Sequence, residues 1–246
     1  MSDGRAPVTE SSIMPPVVPT RIALFSDIHG DLRALEDALV AAGRLGCTRF
    51  LCAGDLVDYG RDANGTIALL RDRAIPTVLG NHDRWATSGR RADVSAASQS
   101  WLRSLPETWS ETVEGCRVVV THARWGSDMA GIDPKAETEI DVRRMLAEAA
   151  ADVLIVGHTH VAFELWCGHS QKIVNPAALL RDVVYEDHAD LATGTFGVLE
   201  LPSGEFTVHR ADSGEQVDIV RRCLTEPDGP PTEAPTKPPP GWASPR

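Results

Sequence analysis

The chain repeats one pattern five times: a short apolar run is followed closely by histidine, aspartate or asparagine. The apolar runs predict buried strands, and the residues after them would meet at one edge of a sheet, where α/β proteins bind ligands. The polar blocks are Asp27-Ile28-His29, Gly54-Asp55, Gly80-Asn81-His82-Asp83, Thr121-His122 and Gly157-His158-Thr159-His160. Imidazole, carboxylate and amide donors gathered without thiolates predict a divalent-metal site rather than a hydrophobic core.

Each block also has a simpler structural explanation. Asp27 or Asp31 alone is well placed to cap a following helix. Gly54-Asp55 alone is typical of a turn, and His122 alone would more often be a core histidine than a ligand. None of these explanations accounts for a metal-type donor at the end of every predicted strand, so the ordered set favours the metal site.

The order of the blocks and their residue types resemble those of the calcineurin-like metallophosphoesterases. That family's signature is D-x-H, G-D, G-N-H-D or G-N-H-E, a lone H and G-H-x-H, and all five parts occur in order between Asp27 and His160. The flanking residues resemble its small bacterial phosphodiesterase branch. The resemblance implies an α/β fold of the metallo-dependent phosphatase type, a four-layer α/β/β/α sandwich with two facing mixed sheets flanked by helices.

The resemblance also implies a site with two divalent metal ions. Four residues would hold the first ion: Asp27, His29, Asp55 and His160. Four would hold the second: Asp55, Asn81, His122 and His158. Asp55 would bridge the two ions, and a hydroxide between them would attack a phosphoester. Mn²⁺ is the expected ion, with Fe, Ni, Co or Zn as alternatives, because the ligands are mixed nitrogen and oxygen donors.

His82 resembles the family's general acid, which protonates the leaving oxygen. Asp83 beside it is expected to orient the ring and keep it protonated, since a nearby carboxylate raises the pKa of an imidazole. The alternative is that Asp83 only caps a turn. The two residues form the predicted catalytic pair.

Three arginines follow ligand-bearing loops, namely Arg61, Arg84 and Arg124. Arg124, two residues past His122, is the candidate contact for a substrate phosphate because the arginine fork suits phosphate oxygens. A solvated surface arginine is the alternative for each. Trp85, Trp101 and Trp125 lie near the ligand loops and are candidates for stacking a nucleotide base, although tryptophans more often pack in a core.

One block departs from the resemblance. Small bacterial members often carry N-P-G-S after the hairpin that follows G-H-x-H, whereas this chain has Asn175-Pro176-Ala177-Ala178. A backbone or hydroxyl contact that depends on that glycine or serine is therefore not expected here.

Helices and strands alternate between the two ends of the chain. Apolar spacing predicts a helix from Leu32 to Ala42 that stops at Gly43 or Gly46, a second through residues 67–70 and a third over 142–150. Hairpins are predicted around residues 167–170 and 202–204. The first half is thus βαβ-like, and the second half is antiparallel.

The length of 246 residues and the single motif set predict one domain over residues 21–224. Residues 1–20 contain four prolines and residues 225–246 contain eight of the seventeen, so both segments are predicted to be disordered. Five cysteines without a C-x-x-C pair predict reduced thiols and a cytoplasmic location. No apolar run approaches the length of a membrane span, so no membrane association is expected.

The net charge of −11 argues against a long nucleic acid as partner, because binding to a phosphate backbone requires clustered lysine and arginine. A small phosphoester or nucleotide is the predicted substrate, with diesters and dinucleoside polyphosphates preferred over phosphoproteins. The alternatives are a serine/threonine protein phosphatase-like activity and a non-catalytic scaffold, as the retromer subunit of the superfamily appears to be. Such scaffolds have lost ligands, whereas all seven ligand positions and His82 are present here. The oligomeric state is not predicted.

Overall fold

The structure is a computed structural model that describes residues 19–90, 93–168, 170–181 and 193–224. The Pro-rich segment over residues 225–246 lies outside the described residues, as does the predicted N-terminal segment up to residue 18. The first strand begins at Thr20, one residue before the predicted start of the domain.

The strands of the described residues form two mixed sheets. Their bounds are β1 (Thr20–Phe25), β2 (Arg49–Cys52), β3 (Thr108–Val113), β4 (Cys116–Thr121), β5 (Val153–Ile155), β6 (Ala162–Cys167), β7 (Gln171–Pro176), β8 (Thr195–Leu201), β9 (Glu205–Arg210), β10 (Gln216–Val217) and β11 (Val220–Leu224). The first sheet has the order β10-β9-β8-β1-β2, and the second has the order β11-β6-β7-β5-β4-β3. The parallel pair β1–β2 lies at one edge of the first sheet, and the parallel pairs β4–β5 and β5–β7 lie inside the second. The two predicted hairpins are the antiparallel pairs β6–β7 and β8–β9.

The helices are α1 (Leu32–Arg44), α2 (Ala63–Asp72), α3 (Asn81–Trp85), α4 (Ala96–Ser104) and α5 (Glu139–Glu148), with a π-helical turn (Ala86–Arg90) after α3. Asp31 caps α1 by accepting a hydrogen bond from the Ala34 N–H at 2.8 Å. The chain leaves α1 through Gly46, whose φ of +78° is accessible to glycine without strain. No helix in the described part of the chain is long and apolar enough to cross a membrane.

The buried side chains define four layers. Along β1, Ala23 and Phe25 pack with α1 and α2, whereas Ile22 and Leu24 point to the opposite face and pack with the second sheet. On the far side of the second sheet, core residues of β4 and β5 pack with α5. The order helices, sheet, sheet, helix confirms the predicted α/β/β/α sandwich.

The apolar run at residues 77–79 is not a strand. Thr77 forms only an isolated parallel bridge with Cys52, although the Val78 N–H does donate to the Cys52 carbonyl at 3.1 Å. Pro76 lacks a backbone N–H for the ladder, and α3 begins at Asn81. The segment therefore lies beside β2 without extending the sheet.

Candidate metal centre

The predicted ligands meet where the parallel strands β1 and β2 of the first sheet and β4 and β5 of the second sheet end. Asp27 and His29 follow β1, Asp55 follows β2, and His122 follows β4. The loops are joined by backbone hydrogen bonds, from the Asp27 N–H to the Gly54 carbonyl at 2.9 Å and from the Gly157 N–H to the His122 carbonyl at 2.8 Å. The His158 N–H donates to Asp27 Oδ2 at 2.9 Å, which connects the second sheet to the first.

Six of the ligand side chains fall into two groups. One group is Asp27, His29 and His160, the other is Asp55, His122 and His158, and within each group the ligand atoms lie within 4.8 Å of one another. These groups match the two predicted metal positions.

Asp55 and Asn81 take the positions that the resemblance implies. Asp55 Oδ2 is 3.2 Å from His122 Nε2 in its own group and 3.9 Å from His29 Nε2 in the other, so it lies between the two groups. Asn81 Oδ1 is 2.9 Å from His122 Nε2 and 3.1 Å from His158 Nδ1. A bridging role for Asp55 and a role in the second group for Asn81 both fit these distances.

Hydrogen bonds to the backbone orient the imidazoles. Nδ1 of His29 lies 2.8 Å from the Val57 carbonyl oxygen, and Nδ1 of His122 lies 2.8 Å from that of Ala53. Since only a protonated ring nitrogen can donate to a carbonyl, Nδ1 is the donor in both rings, and Nε2 is the nitrogen that faces the site. His158 is reversed, because its Nε2 lies 3.0 Å from the Met129 carbonyl and its Nδ1 faces the site.

The backbone of the ligand residues is strained. Five of the seven have positive φ values: Asp27 at 52°, His29 at 50°, Asp55 at 55°, His158 at 68° and His160 at 56°. Each such residue costs on the order of 1–3 kcal/mol outside glycine, and clusters of this kind are typical of functional sites. The strain aims the side chains of successive loops at one point.

Two glycines of the motif are required by close packing around the ligands. A Cβ on Gly80 would lie 2.1 Å from Asp55 Oδ1, and a Cβ on Gly157 would lie 1.8 Å from the Ser26 hydroxyl oxygen. Any larger residue at either position would displace the side chains that position the ligands.

The charge distribution fits metal ions at both groups. Asp27 is fully buried, and its Oδ1 accepts no well-aligned hydrogen bond, with His160 Nε2 the nearest donor atom at 3.2 Å. Burial by itself would raise the pKa of Asp27, but the imidazole of His160 and its neighbours hold it well below the ordinary value. This buried negative charge therefore faces the site without full compensation, as a metal ligand would.

The histidine pKa values are set by the same carboxylates. Burial lowers the pKa of His29 to about 4, although Asp55 and Asp27 oppose it, so the ring is neutral near pH 7. Burial also opposes charge on His122, but the neighbouring Asp55 raises its pKa to about 9. Without a metal, a proton on His122 neutralises Asp55, and a bound cation would replace that proton.

The structure corrects the role predicted for Asp83. Its buried carboxylate accepts hydrogen bonds from the backbone N–H groups of Asp55 at 2.9 Å, Leu56 at 2.8 Å and Gly80 at 3.0 Å. It therefore closes the turn before α3, as in the alternative interpretation, and does not orient the His82 ring. Burial, together with the charge of Asp55, raises the pKa of Asp83 to about 7.

Asp58 holds the His82 ring instead. Its Oδ2 lies 2.5 Å from His82 Nδ1, which leaves Nε2 of His82 for another partner. Asp58 was missed because it follows Gly54-Asp55 by three residues and belongs to no apolar strand end. The nearest signal for it is a second aspartate in the loop that carries the candidate bridging ligand.

Arg124 is also corrected. Its guanidinium pairs with Glu137 and contacts Met145 Sδ at 3.6 Å, so it is turned toward α5. Arg84 is likewise occupied, by Asp128 at 2.8 Å and Glu107 at 2.9 Å. Neither arginine offers an unpaired guanidinium to a phosphate.

Two aromatic rings flank His82. The Tyr59 ring centroid is 5.3 Å from that of His82 and 4.8 Å from that of His29, and the Trp85 centroid is 4.7 Å from that of His82. Tyr59 is 60% exposed and Trp85 is 37% exposed, so both side chains are accessible to a ligand. Trp101 packs against a core cluster, whereas Trp125 packs against another and also lines a cavity together with His122. Tyr59 was missed in the sequence.

The divergent block after β7 supports the histidine loop. The Asn175 side-chain amide donates to the Gly157 carbonyl at 2.8 Å and to the Thr159 hydroxyl at 3.2 Å, and its Oδ1 accepts from the Ala177 N–H. Ala177 has a φ of +66°, so alanine adopts the conformation that glycine would favour. Asn175 therefore stabilises the histidine loop by hydrogen bonds that need neither the glycine nor the serine.

A comparison with known domains identifies the family: the calcineurin-like phosphoesterase superfamily domain matches residues 20–200. The chain belongs to this superfamily. An uncharacterised protein of Methanocaldococcus jannaschii is 28% identical over 163 residues, which are 60% of this chain and 65% of that protein. The chain thus matches less than two thirds of the length of that relative.

Two solved structures share the fold of this chain. A metallophosphoesterase from Sphaerobacter thermophilus superposes with a TM-score of 0.57 at 23% identity, covering 82% of this chain and 89% of that chain. A hypothetical protein from Pyrococcus horikoshii gives 0.62 at 12% identity, covering 78% and 87%. At these identities the likeness concerns the sandwich alone.

Proposed function

We propose that this superfamily member is a metal-dependent phosphoesterase with two divalent ions, acting on small phosphoesters or nucleotides. The observation that supports this most is the convergence of all seven predicted ligands. Six of them, including Asp55, are buried, and His158 is partly exposed. A scaffold would not need strained backbone at five donor positions.

The residues divide the work between binding and proton transfer. Asp27, His29, Asp55 and His160 would hold one ion, and Asp55, Asn81, His122 and His158 the other. Bound ions would neutralise the phosphoryl oxygens and make a water molecule acidic enough to attack. The mixed donors suit Mn²⁺ as the first choice, with Fe, Co, Ni or Zn as alternatives.

The net charge of the filled site favours an anionic substrate. Asp27 and Asp55 contribute two negative charges, two divalent ions contribute four positive charges, and the amide of Asn81 adds none. The site would therefore attract a phosphate despite the overall charge of −11. A long nucleic acid is not proposed as partner, because the outer surface remains acidic.

His82 is the proposed general acid. Its side chain is 15% exposed at the rim of the site, and Asp58 holds Nδ1. Nε2 would then donate a proton to the departing oxygen, while Asp58 stabilises the ring in that orientation. We also propose a reducing location such as the cytoplasm, since the five cysteines, all in the described part of the chain, form no disulfide.

The test is a panel of substrates with Mn²⁺, Ni²⁺, Co²⁺ or Mg²⁺: nitrophenyl mono- and diesters, nucleotides, a dinucleoside polyphosphate and a phosphopeptide. We expect metal-dependent turnover of the small esters, lost on chelation and in Asp55→Asn. A kcat/KM for the phosphopeptide about tenfold or more above that of every small ester would point to a protein phosphatase. No turnover at full metal occupancy would favour a scaffold.

A further inference from the structure

A cavity of about 900 Å³ adjoins the first metal group. Gly30, the residue after His29, forms part of its wall, and so does Tyr59, whose ring lies 4.8 Å from that of His29. Its volume is in the range of small-molecule sites. The cavity is therefore next to the metal centre, on the side of Tyr59.

Two arginines of the cavity wall are unpaired. Arg33 and Arg61 are exposed and form no ion pair or hydrogen bond within the described part of the chain. A third, Arg181, is occupied by Asp31 at 3.3 Å and Asp37 at 2.8 Å. Unpaired guanidinium groups in a concave wall are suited to phosphate oxygens.

The carboxylates of the wall leave these two guanidinium groups without a direct partner. Asp31 is used by Arg181 and by the cap of α1, and Asp62 caps α2 by accepting from the Gly65 N–H at 2.7 Å. Glu36 is exposed one helical turn from Arg33 and forms no ion pair within the described residues. The formal charges of the wall balance, and the feature that suits a phosphate is the two guanidinium groups that no carboxylate contacts.

We propose that this cavity binds a second phosphate carried by the leaving group of the substrate, with Arg33 and Arg61 as its ligands. Tyr59 also contacts His82, the proposed proton donor to the leaving oxygen, so the cavity lies on the leaving-group side. The exposed face of Tyr59 would stack the sugar or base between the two phosphates. This inference rests on the proposed function and names its substrate class: phosphoesters that bear a second phosphate.

The experiment compares two matched substrate pairs with the metal-loaded full chain. They are thymidine 5′-monophosphate against thymidine 3′,5′-bisphosphate, and the dinucleotide TpT against pTpT. The measured quantity is the ratio of kcat/KM for the doubly to the singly phosphorylated member. We expect a preference of roughly tenfold or more, the size of one or two charge-assisted hydrogen bonds.

Arg33→Ala, Arg61→Ala and the double variant should abolish that preference. Arg71→Ala is the matched control, because this substitution removes the same charge from an exposed position. Arg71 lies on α2 outside the cavity wall. A wild-type ratio near one, or an equal fall in Arg71→Ala, would overturn the proposal. If no substrate is cleaved with any metal, the proposed function fails separately.

In that case, calorimetry with the same two thymidine nucleotides tests whether the cavity binds the second phosphate, independently of turnover. Tighter binding of the bisphosphate that is lost in the Arg33 and Arg61 variants would support the proposal. Equal binding of both nucleotides, or equal loss in Arg71→Ala, would refute it.

Discussion

Asp58 Oδ2 lies 2.5 Å from Nδ1 of His82, and this contact joins the loop after β2 to the start of α3. Asp58 therefore orients the His82 ring through Nδ1 and leaves Nε2 for another partner. Neither residue is among the candidate metal ligands, so their contribution can be separated from metal binding by mutation.

His82→Ala should retain both metal ions and lose roughly 10²–10⁴-fold in kcat on substrates with poor leaving groups, the usual range for a general acid. The loss should shrink for a nitrophenyl ester, because nitrophenolate departs without a proton. Turnover across a leaving-group series, with metal content measured in parallel, checks this. Equal losses across the series would show that His82 positions the phosphate instead.

Asp58→Asn and Asp83→Asn form a matched pair. Asp58→Asn should lower kcat on poor leaving groups by less than His82→Ala and leave stability nearly unchanged, because Asp58 acts through the ring. Asp83→Asn should instead destabilise the fold by about 1–3 kcal/mol, since one amide oxygen cannot accept all three backbone N–H groups.

Urea unfolding and the leaving-group series, run on both variants of that pair, separate the two roles. The assignment of Asp58 is wrong if Asp83→Asn shows the leaving-group effect and Asp58→Asn does not.

Asp55→Asn should reduce bound metal from two ions per chain to one or none. Its carboxylate lies between both groups, 3.2 Å from His122 Nε2 and 3.9 Å from His29 Nε2, and a neutral amide loses the charge that two cations share. Elemental analysis after equilibration with Mn²⁺ measures this. His158→Ala is the comparison, and it should weaken only the second ion; a wild-type content of one ion would contradict the dinuclear site.

Lys172→Met should destabilise the protein by about 1–3 kcal/mol, because the buried Glu164 loses one cationic partner and keeps the other, Arg221 at 3.0 Å. The ammonium of Lys172 is buried, lies 2.7 Å from Glu164 Oε1 and sits 4.5 Å from the Trp166 ring centroid. Guanidinium unfolding of the single variants and of Lys172→Met with Glu164→Gln gives the coupling. Additive effects in the double variant would show that the pair contributes nothing beyond its separate contacts.

The sequence determined the candidate ligands through their residue types and order, and the resemblance that these blocks carry implied the family and the layers of the fold. Donor identity is a property of single residues, and apolar runs such as those ending at Phe25 and Val120 place the donors at strand ends. Spacing inside one block, as between His158 and His160, is also local information.

Only the tertiary structure decided which partner each polar side chain has. Asp83 is next to His82 in the chain, yet successive helical residues point about 100° apart, so Asp83 faces the backbone of the Asp55 loop. Asp58 reaches His82 from another loop, and Arg124 is held by Glu137 thirteen residues away. These contacts depend on how separate loops pack against one another, and no pattern within one segment specifies that packing.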